Sequence, residues 1–250
     1  MWKSRLLLLL LCVAAVHVQA MTVFPIDVAK QADESDLIFI GTVVDSESVP
    51  VKDRTFAFTY VTFLVEETLK GSVDGGVVTL RFGGGKAGPV RFEIGGAPQF
   101  VTGGRHLLFV LANDRYVIPL SGGPQGKLNL VRHPETQEEL LTDDAGLLID
   151  GLRELNWVRG GWSVDLGGQL QRPERVAEVV SQEGVTVVLD QPDPDARPVP
   201  AAQVLDELRA LIQSRAFGPG FKRSGTVQSA SPSNVPATDP HRIAMRPEAQ

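Results

Sequence analysis

Short apolar runs separated by polar or glycine-rich turns dominate the first half of the chain. Residues 107–111 and 116–120 are two such runs, and the polar residues 113–115 lie between them. This pattern predicts a central hairpin, and a third short strand is predicted from Lys127, after the Gly/Pro break at 122–126. Short apolar runs between turn signals are typical of strands that are buried in a core.

Further strands are predicted upstream, at residues 36–44, 56–65, 77–82 and 90–94. In the strand at 56–65 the apolar residues lie at even positions up to Tyr60 and at odd positions after it. Either both faces of this strand are buried, or it has a bulge near Tyr60. Long strands that bend through a bulge form the corners of small barrels. The pattern therefore predicts a mainly β fold, an antiparallel sandwich or barrel, of which we favour the barrel.

The second half of the chain has a more mixed pattern. Residues 173–189 fit either a helix that begins at Pro173 or a hairpin. Residues 200–214 predict an amphipathic helix, because their apolar positions follow helical spacing between a proline and a glycine. This helix is expected to dock on the β core. The alternative is that its apolar face binds a partner protein. Residues 217–250 have few large apolar side chains and predict a disordered tail.

These patterns divide the chain into five parts. In order they are a signal peptide, a β-barrel domain, an irregular α/β extension with a Pro/Asp linker, a C-terminal helix and the tail, at residues 1–20, 21–145, 146–199, 200–216 and 217–250. Whether the region after residue 145 is a separate subdomain is left open.

The N-terminus has the features of an export signal. Two basic residues precede an apolar segment at 6–16, and a small-residue cleavage pattern ends at Ala20. Cleavage after Ala20 predicts a secreted or periplasmic protein. Lipidation of Cys12 is disfavoured, because Leu11 stands where a small residue normally precedes a lipidated cysteine.

The composition of the exported chain argues against several kinds of bond, site and partner. Cys12 is the single cysteine, so a chain cleaved after Ala20 has no thiol for a disulfide or a thiolate metal site. The formal net charge is −6 and no basic cluster is present, which argues against nucleic acid as a partner. No later run approaches the ~20 apolar residues of a membrane-spanning helix, so no span is predicted after signal cleavage.

Residues 83–88 match the dinucleotide-binding pattern G-x-G-x-x-G. That motif needs a helix next, whose N-terminus faces the pyrophosphate, whereas Pro89 and a strand pattern follow here. The phosphate-loop pattern also fails, because Lys86 is followed by Ala87 and not by Ser or Thr. We interpret the segment as a flexible loop between strands, with no cofactor.

Histidines and carboxylates are the candidate metal ligands. His106, His133 and His241 have no metal-binding spacing. The acidic pairs at 138–139 and 143–144 are candidates for a hard cation, but they lack the alternating spacing of a calcium loop, so a solvated acidic turn is favoured. No metal site is predicted.

No catalytic constellation is visible in the sequence. Ser121 lies outside any nucleophile-elbow motif, and a carboxylate pair that meets in space cannot be read from sequence. Trp157 and Trp162 are candidates for binding sugar faces, but packing over the end of a barrel is favoured. The chain is therefore predicted not to be an enzyme.

Five sequence segments together resemble a family of exported bacterial proteins of unknown function. They read SDLIFIGTV, VEETLKG, RFGGG, APQF with GGRHLLFV, and QGK, at residues 35–43, 65–71, 81–85, 97–110 and 125–127. The resemblance covers about residues 36–144, with a weaker echo in the helix at 200–214.

The resemblance implies an OB-like barrel, similar to that of netrin-like domains and tissue metalloproteinase inhibitors. It suggests a protein-binding role, and we expect an exported, non-enzymatic protein-interaction module whose partner binds at residues 83–88 or at a strand edge. An inhibitor or accessory protein of an exported metalloprotease is the alternative. The N-terminal cysteine by which such inhibitors clamp zinc is missing, since the mature chain is expected to start at Met21. A hydrolase of the cell envelope is a further alternative.

Overall fold

The computed structural model of the chain describes residues 26–52, 55–165, 167–171, 197–216, 218, 220–222 and 226–231. The expected signal peptide, the helix or hairpin at 173–189, most of the linker and His241 lie outside these residues.

Strands dominate the described part of the chain. They are β1 Leu37–Pro50, β2 Ala57–Lys70, β3 Val77–Gly83, β4 Gly85–Ala87, β5 Val90–Phe92, β6 Arg105–Val110, β7 Lys127–Arg132, β8 Glu139–Thr142, β9 Leu147–Arg153, β10 Asn156–Val164 and β11 Leu170–Gln171. Nine of them form one antiparallel sheet in the order β11-β10-β9-β8-β7-β6-β1-β2-β3, and β4 and β5 form a separate hairpin. Two α-helices, α1 Val28–Glu34 and α2 Ala201–Arg215, flank this sheet in sequence.

The central strands β1 and β6 are buried on both faces. Ile38 and Phe109 belong to one apolar cluster with the buried residues of α1 and α2, and we call this side the helix face. Phe39 and Leu108 belong to a second cluster with β2, β3 and residues of the connecting segments, on the side that we call the loop face. Two-sided burial explains why both strands have continuous apolar runs in place of alternation.

Helix α2 packs on the helix face, as expected. Its apolar residues Val204, Leu208 and Ile212 are buried, because the helical spacing of four residues puts them on one stripe. Pro200 directly precedes the first turn, at a position where its missing N–H costs nothing. Arg215, in the last turn, pairs with Asp33 of α1 and ties the two helices together.

The apolar residues of β2 change from even to odd positions because both faces of this strand are buried. Tyr60 and Val61 are both buried, in different apolar clusters. The irregularities in β1–β2 pairing lie elsewhere: the register skips Val44 on β1 and skips Glu66 and Leu69 on β2. The alternative of a bulge near Tyr60 is therefore wrong, although bulges do occur in this strand pair.

The predicted central hairpin is wrong in its second strand. Residues 116–120 form no strand, and only Leu120 makes a bridge, to Val110. β6 pairs with β1 along one edge, and on the other edge β7 pairs with residues 105–108, so residues 119–121 reach only the end of β6, through two backbone hydrogen bonds. The strand predicted from Lys127 is present as β7.

Three further expectations need correction. Residues 83–88 are not a loop, since β4 lies within them and pairs with β5. The sheet continues past residue 145 through β9, β10 and β11, so no boundary separates these residues from the strands before them. Residues 226–231, expected to be disordered, lie against the sheet, with Val227 and Ala230 buried.

The described residues establish a mainly β, antiparallel fold with one C-terminal helix. Within the ranges given above, no strand pairing joins β3 to β11, and the described sheet is not a closed barrel. None of the described helices is both long and apolar enough to span a lipid bilayer.

Candidate functional site

A cleft of about 490 Å³ lies where the N-terminal half of α2 meets the helix face of the sheet. Its lining comes from β1, β2, β6, β7, the start of β8 and α2, and consists of Ile40, Glu66, Glu67, Arg105, Leu130, Glu138, Glu139, Pro200, Ala202, Leu205 and Arg209. Segments from both ends of the chain therefore meet at this cleft.

The cleft combines an apolar lining with an excess of negative charge. Ile40, Leu130 and Leu205 supply apolar side chains. Four glutamates and two arginines supply the charge, so the ionised lining carries two more negative than positive groups. A ligand that matches this lining carries positive charge next to an apolar group.

Arg105 is held between β2 and β8, the two strands that lie one position beyond the neighbours of β6 in the sheet. Its Nε and Nη2 atoms donate to Glu66 of β2, at 3.0 and 2.5 Å, and its Nη1 pairs with Glu139 of β8. The Oγ1 of Thr42 also donates to Glu66. The hydrogen bonds from Arg105 lower the pKa of Glu66, against the opposing effect of burial. Glu66 is therefore ionised at neutral pH.

Arg209 of α2 makes the second fixed ion pair of the cleft. Its Nε and Nη2 atoms each donate to an oxygen of Glu67 at 2.8 Å, in a bidentate geometry, and its Nη1 donates to Asp206 at 2.6 Å. The hydrogen bonds that Arg209 donates to Glu67 raise the pKa of the guanidinium. The pair fastens α2 to β2 and holds both side chains at the cleft.

Glu138 differs from the other three glutamates of the cleft. Its carboxylate accepts a hydrogen bond of 3.3 Å from Thr136, but it has no basic partner among the described residues. Because both arginines are already paired with other carboxylates, Glu138 is the anion of the cleft that is available to an incoming cation.

His106 lies in β6 and faces the neighbouring β7. Its Nδ1 lies 3.0 Å from Oδ1 of Asn129, and its Nε2 is buried without a hydrogen-bond partner in the described part of the chain. Burial, and then the charge of Lys127, lower the pKa of His106 to about 4. The ring is therefore neutral at physiological pH and donates from Nδ1 to Asn129. Phe100 packs edge-on against it.

The other candidate metal ligands stabilise turns and strand ends. The Nδ1 of His133 accepts from the backbone N–H groups of Glu135 and Thr136. Asp143 accepts from Leu147 N–H and from Arg159, and Asp144 pairs with the buried Lys127. No group of three or more His, Cys, Asp or Glu side chains gathers for a metal ion within the described ranges.

Ser121 and Trp157 are part of the packing. Ser121 is fully buried, and its Oγ has no hydrogen-bond partner among the described side chains, so no histidine activates it there. Trp157 packs against Phe109 with ring centroids 6.3 Å apart and lies against the apolar cluster of the helix face. Trp162 is half-buried in β10.

The sequence analysis did not identify the buried Lys70 or the half-buried Asp150, two groups with shifted pKa values. Lys70, at the end of β2, donates to the backbone carbonyls of Ala32 and Asp33 and lies 3.9 Å from the ring centre of Phe221. Burial lowers its pKa to about 8. Asp150 of β9 has a pKa raised by burial. The only sequence signal for Lys70 is its position at the end of an apolar strand.

Comparison with known proteins finds no matching family model, no matching curated protein and no matching solved structure.

Proposed function

We propose that the chain is an exported, non-enzymatic protein-interaction module whose cleft binds a basic and partly apolar segment of a partner protein. The observation that carries this proposal is Glu138, an exposed carboxylate without a basic partner among the described residues, in a cleft whose two arginines are already paired. A lysine or arginine of the partner supplies the missing positive charge.

The fixed ion pairs of the cleft favour binding. Arg105 and Arg209 are each held by carboxylates from neighbouring elements, so the lining does not reorganise when a ligand enters. A preorganised site loses little side-chain entropy on binding. The apolar groups of Leu130 and Leu205 accept the hydrocarbon part of a lysine or arginine side chain, which carries apolar carbon next to its charge.

The contacts of the cleft support binding more than catalysis. Arg105 lowers the pKa of Glu66, so this carboxyl holds no proton for a general acid at neutral pH, and Glu67 and Glu139 are each paired with an arginine. A lining of charged side chains that are held in place is suited to binding a ligand of complementary charge.

The proposed location and ancestry rest on the sequence patterns. The leader at residues 1–20 supports export to the periplasm or the medium. The segments at 35–43, 65–71 and 97–110 support an OB-like relationship to netrin-like domains, and the bulges in the β1–β2 pair support a strongly curved sheet. On this basis an exported protease is one class of partner for the cleft, with the chain as its inhibitor or accessory protein.

A peptide-binding assay tests the proposed function. The purified protein is titrated with two pools of fluorescent decapeptides, one with Lys or Arg beside Leu, Ile or Val, and one in which Asp or Glu replaces the basic residue. We expect binding of the basic pool only, weakened by salt because the contact is between charges at the protein surface.

The variant Glu138→Lys reverses the available charge of the cleft and leaves both arginine pairs in place. We expect it to bind the basic pool at least ~10-fold more weakly, which corresponds to about 1.4 kcal/mol. Glu135→Lys is the matched control, since it makes the same charge change in the same turn outside the cleft lining. Equal loss in both variants, or no binding by the unaltered protein, would refute the proposal.

A further inference from the structure

The described part of the chain ends at residue 231, on the face of the sheet that holds the cleft. Ala230 is buried against Phe58 and Tyr60 of β2. Successive side chains of a strand point to opposite faces. Because Val61 belongs to the cluster of the loop face, its neighbour Tyr60 points to the helix-face side, and Ala230 lies on that side too. The residues that follow 231 therefore begin on the same side of the sheet as the cleft.

Exposed apolar side chains lie between Tyr60 and the cleft. Leu64 of β2 and Val77 of β3 are cross-strand partners, and they are 48% and 40% exposed. Leu64 also pairs with Thr42 of β1, whose hydroxyl donates to Glu66 of the cleft. The described residues leave this apolar surface open to water, and it adjoins the acidic lining of the cleft.

Residues 232–250, which we call the C-terminal segment, are long enough to reach the cleft. Between Tyr60 and Glu66 the strand β2 rises by about 20 Å, at ~3.3 Å per residue. Residues 232–242 alone span up to about 36 Å when the chain is extended. Arg242 and the residues after it can therefore reach the cleft without full extension of the chain.

The C-terminal segment contains one stretch with the chemistry that the cleft requires. Residues 242–246, which we call the basic stretch, read Arg-Ile-Ala-Met-Arg, and its two arginines are the only lysine or arginine residues after residue 231. Ile243 and Met245 place long apolar side chains beside both charges. The acidic residues of the segment, Asp239 and Glu248, lie outside the stretch.

The cleft complements this stretch in charge and in apolar surface. Its lining has two more negative than positive groups, and Glu138 is exposed and has no basic partner among the described residues. Leu130 and Leu205 offer apolar contacts. A tethered ligand has an effective concentration of about 1 mM, so a contact with a Kd of about 100 μM is enough to fill most of the sites.

We infer that the basic stretch binds in the cleft of its own chain and competes there with the basic partner. An arginine of the stretch pairs with Glu138, and the apolar side chains between the arginines contact the apolar lining. The inference rests on the proposed function, because it assigns an internal ligand to the same site. A partner then binds only when it displaces the basic stretch, so the C-terminal segment regulates the site.

The test uses the full chain and a fluorescein-labelled peptide of residues 240–247, followed by fluorescence anisotropy. Arg242→Gln combined with Arg246→Gln removes both charges of the basic stretch and changes no described residue. We expect this double variant to bind the peptide at least ~10-fold more tightly than the unaltered protein, because the tethered competitor is lost. A peptide with glutamine in place of both arginines is expected not to bind.

Ser233→Glu combined with Asn234→Glu is the matched control. It makes the same change in net charge within the C-terminal segment and leaves the basic stretch intact. It is expected to bind the peptide like the unaltered protein. Amide spectra of the ¹⁵N-labelled proteins without peptide give a second measurement: the double glutamine variant shifts residues 66–67, 105 and 138–139, and the control does not.

Three results would overturn the inference. Equal and measurable peptide binding by the unaltered protein and the double glutamine variant would refute it and leave the proposed function standing. Failure of both proteins to bind this peptide or the basic peptide pool would refute the proposed function as well. Amide shifts at the cleft that depend on protein concentration would show that the ligand is the basic stretch of a second copy.

Discussion

Lys70 has an uncommon environment for a lysine. Its side chain is buried, with 5% of the residue exposed. Its ammonium group donates hydrogen bonds to two backbone carbonyls at the C-terminus of α1. Phe221 covers it, and the nearby carboxylates of Asp33 and Asp36 compensate only part of the desolvation that lowers its pKa to about 8. A buried lysine of this kind makes stability depend on pH in the alkaline range.

We predict that the free energy of unfolding rises with pH between about 8 and 10.5 because of Lys70. Within this window the folded state has lost the proton of Lys70 while the unfolded chain still binds it, and the state with fewer bound protons gains stability as pH rises. The increment is at most ~3 kcal/mol, since one pKa unit corresponds to about 1.4 kcal/mol.

Urea unfolding of the unaltered protein and of Lys70→Met, at about pH 7.5 and about pH 10, measures this increment. The difference in stability between the two proteins should shift in favour of the unaltered protein at the higher pH. Lys86→Met, at an exposed lysine of β4, should show no such shift. A pH-independent difference for Lys70→Met would contradict the assigned pKa.

At the scale of elements, α2 determines whether the cleft exists. Its buried stripe covers the helix face, and its polar residue Arg209 reaches Glu67 on β2. Without α2 the apolar residues of the helix face would be open to water, and the cleft would lose one wall.

We predict that Leu208→Ala lowers the free energy of unfolding by about 2–5 kcal/mol, the usual cost of deleting a fully buried leucine side chain. The measurement is equilibrium unfolding in urea. Gln213→Ala, at an exposed position of the same helix, should change stability by less than ~0.5 kcal/mol. A small effect of Leu208→Ala would mean that α2 is not docked in solution.

The elements that sequence predicted are those with a strong local pattern. α2 was predicted to within one residue at each end, because proline and apolar spacing are local signals. β1 and β6 were predicted from continuous apolar runs. The strand expected at 116–120 has a similar apolar run, but β7 pairs with residues 105–108 of β6 and leaves only the end of that edge, and competition for a strand edge leaves no trace in a local pattern.

The cleft could not be predicted for a related reason. Arg105 and Glu66 are 39 residues apart in sequence, and Arg209 and Glu67 are 142 residues apart. In the sequence, each of these residues resembles an ordinary charged residue of the protein surface. Only the sheet order, which places β2 and β8 on either side of β1, β6 and β7, brings them to one cleft.

At the scale of the whole molecule, the net charge fits the basic partner that we propose. The net charge of −6 attracts a basic protein over several ångströms before contact, which accelerates association at low salt.

An NMR titration tests whether a basic peptide binds at the cleft. Uniformly ¹⁵N-labelled protein is titrated with the tightest-binding basic peptide from the pool, and amide shifts are mapped on the sheet and helices. We predict that the largest shifts cluster at residues 66–67, 105, 138–139 and 202–209, and that Glu138→Lys abolishes them. Saturable shifts centred elsewhere, or unchanged shifts in Glu138→Lys, would contradict the assignment of the cleft as the binding site.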